Sequence, residues 1–138
     1  MKDYRGALAD YNTYDTLMLG RASADFYYTR YTCEVNLRQY QQALNDIAHA
    51  AVVAQPDMRP PYLAELASLQ LRVNKLEDAV KTADLCLNLD PKSTDALVIK
   101  GVALNALKRK AEAIECLKKA AELGDKRGDE YIKKYSSK

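Results

Sequence analysis

Few side chains in this sequence carry chemistry that could support catalysis. His49 is the single histidine among the 138 residues, so a histidine-based metal site would need mixed ligands. A nucleophile–base pair of Cys33 and His49 is conceivable, because both residues fall on antiparallel helices of one predicted hairpin. A histidine at the surface or at the edge of a groove is the simpler interpretation of the same pattern.

The cysteines and glycines predict neither a cofactor site nor a disulfide framework. Cys33, Cys86 and Cys116 are odd in number and widely spaced, which is typical of reduced, buried thiols. The glycines are isolated, so the sequence has no glycine-rich phosphate loop. The acidic residues are interpreted as helix caps and solvated faces, not as catalytic pairs. We therefore predict that the protein is not an enzyme and binds no cofactor or metal. The acidic residues considered are Asp46, Asp78, Asp84, Glu112 and Glu115.

The charge balance argues against nucleic-acid and membrane partners. The formal net charge is +2, which is too near neutrality to indicate a polyanionic partner. The densest basic cluster, Lys108–Lys110, is predicted to be a solvated turn between two helices, since a nucleic-acid surface would repeat such residues in every unit. No apolar run reaches the roughly 20 residues that span a bilayer. A cytoplasmic location is the default expectation, and an exported one stays open.

The apolar residues follow a helical period throughout. Between the prolines they recur at steps of three and four residues, and no Asn-Gly or Asp-Gly turn separates alternating apolar runs. The pattern predicts an all-α protein. Two successive stripes are Leu63, Leu66, Ala67 and Leu71, then Leu76, Ala79, Val80, Ala83 and Leu87.

The sequence repeats itself at a fixed interval. Tyr62–Pro91 aligns without a gap on Ala96–Asp125, which pairs small residues where two helices cross. A third copy covers about Asp25–Gln55, with its second helix at an offset of 36 residues. We expect Pro60-Pro61 to absorb the extra length, and the first helix of this copy fits only if one residue is dropped from its turn.

A helix–turn–helix period of 34 residues resembles the tetratricopeptide repeat. The residues that carry the resemblance include Leu63, Ala67, Ala79, Cys86 and Pro91, whereas Lys100, Ala83 and Asp125 depart from the family pattern. The resemblance implies a right-handed superhelical solenoid of antiparallel helix hairpins with a C-terminal capping helix.

The predicted organisation is a single domain, residues 1–138. It comprises the second helix of a truncated repeat (1–20), three repeats (25–57, 60–93 and 94–124) and a capping helix (125–135). Gly20 is expected to end the first helix and Asp25 to cap the next, while Asp125 caps the last. The half-repeat would leave an apolar flank uncovered, which repeat proteins normally avoid. We therefore expect either that the sequence is part of a larger protein or that this flank contacts a partner.

The resemblance also implies a concave groove lined by the first helices. In the last copy the groove face is apolar, and it is either an exposed partner site or is covered by the C-terminal helix. Acidic and apolar residues at Glu65, Asp95 and Ile99 disfavour the clamp that binds chaperone C-terminal carboxylates. The candidate groove residues are Arg30, Cys33, Leu37, Glu65, Ser68, Arg72, Val98, Ile99, Val102 and Asn105.

The expected function is protein–protein interaction through a peptide or helix held in this groove. The tyrosine-rich N-terminal part supports a partner contact near the first hairpin, because tyrosine is favoured at interfaces. The alternative is homo-oligomer formation through the uncovered N-terminal half-repeat. Partner identity is not specified by the sequence.

Overall fold

The computed structural model describes residues 4–8 and 23–136. Every regular element in these ranges is helical, which confirms the predicted all-α fold class. The chain divides into two compact units, unit 1 (Met1–Tyr62) and unit 2 (Leu63–Lys138). Within the described ranges, none of the helices has both the length and the apolar character that crossing a bilayer demands.

Unit 1 contains one complete helix hairpin. Helix α1 (Ala24–Asn36) packs against α2 (Tyr40–Val53), and a 3-10 turn (Pro56–Met58) leads into α3 (Arg59–Arg72). Ser23, and not the predicted Asp25, caps α1, because its hydroxyl accepts a hydrogen bond of 3.2 Å from the amide of Phe26. Residues 4–8 are helical; the rest of the predicted helix at 1–20, including Gly20, lies outside the described residues.

Unit 2 contains the remaining hairpins. After α3 come α4 (Leu76–Leu89), α5 (Thr94–Ala106), α6 (Lys110–Glu122) and α7 (Lys126–Ser136). Each of these helices packs on the next from α4 to α7. One core cluster joins α3, α4 and α5 through Ala67, Ala83 and Ile99. The hairpins of this unit are therefore stacked in series.

All three hairpins turn with the same backbone geometry. The residues at the centre of the turns, Arg38, Asn74 and Lys108, have φ values of 60°, 66° and 68°. In each turn the following amide donates to the carbonyl oxygen five residues earlier, as in Arg109 N to Leu104 O at 2.9 Å. This is the Schellman arrangement that ends a helix. Gly124, with φ 96°, forms the same turn between α6 and α7.

The repeat of the turn fixes which residues are equivalent. The fourth residue of each second helix is an alanine with 0% exposure: Ala43, Ala79 and Ala113. A side chain of minimal volume at this point lets the two helices of a hairpin approach closely. The equivalence of Ala79 and Ala113 agrees with the alignment at 34 residues.

The first hairpin differs from its sequence alignment in two respects. Its turn has the same length as the others, so no residue is dropped, and the 36-residue offset holds for both helices. The alignment failed because Tyr31 occupies the place of Ala67 and Gly101, a position where small residues were expected. Pro60 and Pro61 lie in the first turn of α3, where a missing amide costs no hydrogen bond; the extra length lies in the 3-10 turn.

Candidate binding surfaces

The exposed face of α1 carries small polar side chains. Thr29, Thr32 and Asn36 are exposed. At the 36-residue offset they correspond to Glu65, Ser68 and Arg72 of α3. Their side chains donate to carbonyl oxygens of their own helix, for example Asn36 Nδ2 to Thr32 O at 2.7 Å. Beside them Tyr28 is 37% exposed. This face offers hydroxyl and amide groups without a buried charge.

Arg30 does not lie on that face. Its Nε and Nη2 atoms donate to the two carboxylate oxygens of Asp46 on α2, at 2.7 and 2.6 Å. The guanidinium also lies 5.4 Å from the ring centre of Phe26. The side chains of Arg30 and Asp46 are only 11% and 5% exposed. Arg30 therefore joins the two helices of the hairpin, and Asp46 is buried, contrary to the expectation of a solvated face.

The other two candidates on α1 are also withdrawn from solvent. Cys33 is buried at 6% exposure, and Leu37 is the half-buried C-cap of the helix. The sequence alignment had offset α1 from α3 by 35 residues, whereas the structure gives an offset of 36, so the candidate residues on α1 were chosen one position too far along the helix.

A buried acid lies next to the Arg30–Asp46 pair. Glu34 is 4% exposed, and its Oε1 atom has no hydrogen-bond partner. Burial raises the pKa of Glu34 to about 9, with a further contribution from its hydrogen bond to Asp46. Glu34 is therefore protonated at neutral pH. The sequence analysis missed this buried acid. At the 36-residue offset Glu34 corresponds to Gln70, so a polar side chain recurs at this position of the first helix, and Gln70 Oε1 is likewise buried without a hydrogen-bond partner.

In unit 2 the candidates on α3 are accessible. Ser68 and Arg72 are exposed and Glu65 is half-buried. These residues are spaced by three and four positions, so they share one face of the helix. Ala67 and Leu69, between them, point into the hairpin at 0% and 3% exposure. The structure thus brings together the predicted polar face of this helix.

The candidates on α5 do not form the exposed apolar patch. Val98 and Ile99 are 4% and 8% exposed. Val98 packs in a cluster to which Val102 and Tyr131 of α7 contribute, whereas Ile99 packs against Ala67 and Ala83. Of the two alternatives left open by the sequence, the structure has the C-terminal helix covering this face. Asn105 remains half-buried at the end of α5.

Lys100, which departs from the family pattern, has a specific partner. Its ammonium lies 2.6 Å from a carboxylate oxygen of Asp84 on α4. The pKa of Lys100 is displaced downward by burial and upward by Asp84, and the net direction is upward. The lysine therefore stays charged and bridges two neighbouring helices.

The C-terminal helix α7 is held by charges and by close backbone contact. Arg127 Nη2 lies 2.5 Å from Asp95 of α5 and 2.7 Å from Asp125. Its hydrogen bonds lower the pKa of Asp125 to about 2, and Asp125 also accepts from the amide of Arg127 as a cap. Gly128 is buried so closely that a Cβ atom there would lie 2.4 Å from the carbonyl oxygen of Leu117.

Two clefts open at the tips of hairpins in unit 2. The lysine cleft, of about 400 Å³, lies between the α5–α6 turn and α7 and is lined by Asn105, Lys108, Lys110, Lys134 and Tyr135. The mixed cleft, of about 370 Å³, lies at the α3–α4 turn and is lined by Asn74, Lys75, Leu76, Glu77, Asp78 and Leu107. The two clefts occupy corresponding places in successive hairpins but differ in charge.

The structure describes the surroundings of His49 and of two cysteine thiols. The exposed His49 stacks on Tyr27 with ring centres 5.4 Å apart, and its Nδ1 contacts the carbonyl oxygen of Asn45 at 2.8 Å. Burial raises the pKa of the Cys86 and Cys116 thiols, which lowers their nucleophilicity at neutral pH. Within the described residues no group of three or more His, Cys, Asp or Glu side chains could hold a metal ion.

Comparison with known proteins identifies the type of fold. Residues 94–123 match the family model described as tetratricopeptide repeat. A search of curated protein sequences finds no match.

Solved structures resemble the chain over most of its length. YrrB, a tetratricopeptide-repeat protein with an unusual peptide-binding site, has a TM-score of 0.78 and 23% identity, covering 95% of this chain and 66% of its own. MamA has a TM-score of 0.76 and 14% identity over 88% of this chain and 69% of its own. The first tetratricopeptide-repeat domain of Spaghetti, bound to an HSP90 peptide, has a TM-score of 0.75 and 21% identity over 83% and 91%. At these identities the likeness establishes the fold. With its recurring turns and equivalent alanines, the chain has the fold of tetratricopeptide-repeat proteins, and its residues 94–123 match the family itself.

Proposed function

We propose that the protein is an interaction module that binds a peptide segment of a partner protein. In unit 2 the binding face is the exposed polar side of α3, formed by Ser68 and Arg72 with Glu65. In unit 1 a separate candidate face is the exposed polar side of α1, formed by Thr29, Thr32 and Asn36. The observation that carries the proposal is that these faces remain accessible while the apolar sides of the same helices are buried. Two proteins of similar fold support the same role: YrrB has a peptide-binding site, and the first Spaghetti domain is bound to an HSP90 peptide.

The chemistry of the unit 2 face favours a peptide with polar and mixed-charge side chains. Arg72 offers donors to a carboxylate or a carbonyl, whereas Glu65 accepts from an amide or a cation. Asp95, at the start of α5, is paired with Arg127. A C-terminal carboxylate would meet the negative charge of Glu65 at this face, so the proposed ligand is an internal segment and not a chain terminus.

No catalytic step forms part of this proposal. Burial raises the pKa of the Cys86 and Cys116 thiols, and His49 stacks on Tyr27. Repeat modules of this type serve mainly for recognition. The energy of binding would come from a few anchor contacts.

The test is affinity capture from native lysate, read by mass spectrometry. The double variant Ser68→Glu/Arg72→Glu changes exposed positions, where substitutions usually alter stability by less than about 0.5 kcal/mol. It is expected to lose the proteins that the wild type captures. Lys81→Glu, exposed on the second helix α4, is the matched control and is expected to retain them. Ile99→Asp is unsuitable, since Ile99 is part of the core.

Retention of every captured protein by the double variant would refute the proposed face. Self-assembly through the N-terminal half-repeat concerns residues that the structure mostly does not describe, and it stays a prediction. Sedimentation equilibrium of the full chain tests it, because a strict monomer at high protein concentration excludes it.

A further inference from the structure

We propose that the lysine cleft is a second ligand site, which binds acidic side chains of a peptide. The cleft lies at the hairpin tip, apart from the polar face of α3. The proposal rests on the proposed function, because the ligand is again a peptide. Lys108 and Lys110 approach it from the α5–α6 turn, and Lys134 approaches it from α7. Asn105 and Tyr135 add an amide and a hydroxyl that can orient a bound carboxylate.

The charges around the cleft are predominantly positive. No aspartate or glutamate is among its lining residues. The acidic residue nearest in sequence to the turn, Glu112, pairs with Arg109 at 2.6 Å. On α7, Glu130 stands four positions before Lys134 and can reduce the field of that residue. Lys108 and Lys110 thus supply most of the attraction.

The mixed cleft provides an internal comparison. It has a similar volume and the corresponding position, but its single lysine, Lys75, faces Glu77 and Asp78. The geometry of the hairpin tip therefore produces a cleft in each case, and the residue types decide whether it attracts anions. At corresponding positions Lys108 replaces Asn74 and Lys110 replaces Leu76, which makes the cleft of the third hairpin selective for negative charge.

The wall formed by α7 is firmly placed. Tyr135 stacks on Tyr131 with ring centres 5.7 Å apart, and Tyr131 packs on the core cluster that contains Leu97 and Val98. Two contacts hold the first turn of this helix. Gly128 lies against the backbone of α6, and the adjacent Arg127 pairs with Asp95 of α5. A ligand would meet this wall without reorganising it.

The size and isolation of the cleft favour a peptide over other anions. A volume near 400 Å³ suits a few side chains of a ligand. A nucleic acid or an anionic membrane would require basic residues continuing along a surface, whereas the corresponding tip of the preceding hairpin is acidic as well as basic. An acidic segment of a protein matches the cleft in both extent and charge.

The experiment uses the full chain and a defined probe, a fluorescein-labelled peptide of alternating Glu and Asp with an amidated C-terminus. Fluorescence anisotropy gives its affinity, and amide shift perturbation locates it. Lys108→Glu/Lys110→Glu is expected to weaken binding at least about tenfold, since two attractions become repulsions. Lys75→Glu, in the mixed cleft, is the matched control and is expected to change affinity less than about twofold. Raising the salt from 50 to 300 mM should weaken wild-type binding, because added ions screen surface charges.

Each outcome has a definite meaning. Shifts at Asn105 and Tyr135 together with the tenfold loss support the site. Equal affinity of the double variant, or tighter binding of single-stranded DNA, anionic vesicles or inorganic phosphate than of the peptide, overturns it. If Ser68→Glu/Arg72→Glu abolishes binding of the probe while the lysine variant does not, the cleft is excluded and the proposed function stands.

Thermal unfolding followed by circular dichroism verifies that the variants fold. Lys110→Glu should not destabilise the helix, because a negative charge is favourable at a helix N-terminus.

Discussion

The first and third hairpins are built on the same frame with different interiors. Both turn through a residue with positive φ, Arg38 or Lys108, and both bury an alanine at the fourth position of the second helix. The position four residues before the positive-φ residue differs between the two hairpins. The first hairpin has Glu34 there, beside the Arg30–Asp46 pair, whereas the third has Leu104 at 1% exposure. The frame thus depends on turn geometry and on small residues, while the rest of the interior can be polar or apolar.

The largest effect is expected where the polar interior is broken. Asp46→Ala leaves Arg30 as an uncompensated, nearly buried charge, which should lower the free energy of unfolding by about 3–5 kcal/mol. Urea unfolding of the full chain measures the loss. Asp84→Ala, which breaks the more exposed pair with Lys100, is the control and should cost no more than about 1 kcal/mol. Equal losses in both variants would contradict the distinction.

The apolar interior of the third hairpin should respond to volume instead. Leu117 is fully buried, so Leu117→Ala should cost about 2–4 kcal/mol through lost burial and the cavity left behind. A Cβ atom at Gly101 would lie 2.7 Å from Leu117 Cγ, so Gly101→Ala should be destabilising by overpacking. The double variant should be more stable than the sum of the two losses predicts. Strict additivity in urea unfolding would argue against contact between these residues.

A further effect concerns pH. Because the folded state raises the pKa of Glu34 from 4.5 to about 9, folding retains a proton that the unfolded chain releases above its ordinary pKa. Stability from this group is therefore fully present below about pH 4.5 and declines as the pH rises towards 9. Glu34→Gln should flatten this decline, and Glu34→Leu should do the same while resembling the third hairpin. Unfolding curves at pH 5, 7 and 9 measure the slope; an unchanged slope in Glu34→Gln would assign the pH dependence to other groups.

The sequence predicted the parts of the fold that depend on recurring residues. The 34-residue alignment placed Ala79 and Ala113 in equivalent positions because close helix crossings exclude large side chains. It failed in the first hairpin, where Tyr31 stands at a position of small residues and conceals the register. The choice of Arg30 and Cys33 as groove residues followed from that error of one position.

The candidate site was less predictable for a physical reason. Exposure of a side chain such as Val98 depends on what another helix covers, and the sequence alone left α7 either over that face or away from it. The polar face of α3 could be predicted, since Ser68 and Arg72 alternate with the core residues of their own helix. The lysine cleft could not, because Lys134 is 24 or more residues distant in sequence from the turn that it faces.

The glycine at position 128 determines the width of that cleft, because it has no side chain to separate α7 from α6. At residue 128 the backbone of the last helix rests directly on the backbone of α6, with no atoms between them that could repack. The spacing between Lys134 and the lysines of the turn is consequently set by main-chain contact, which is far stiffer than contact between side chains. A single methyl group added at Gly128 would push α7 away from α6. The distance between Lys134, nearly two helical turns further along α7, and the lysines of the turn would then increase.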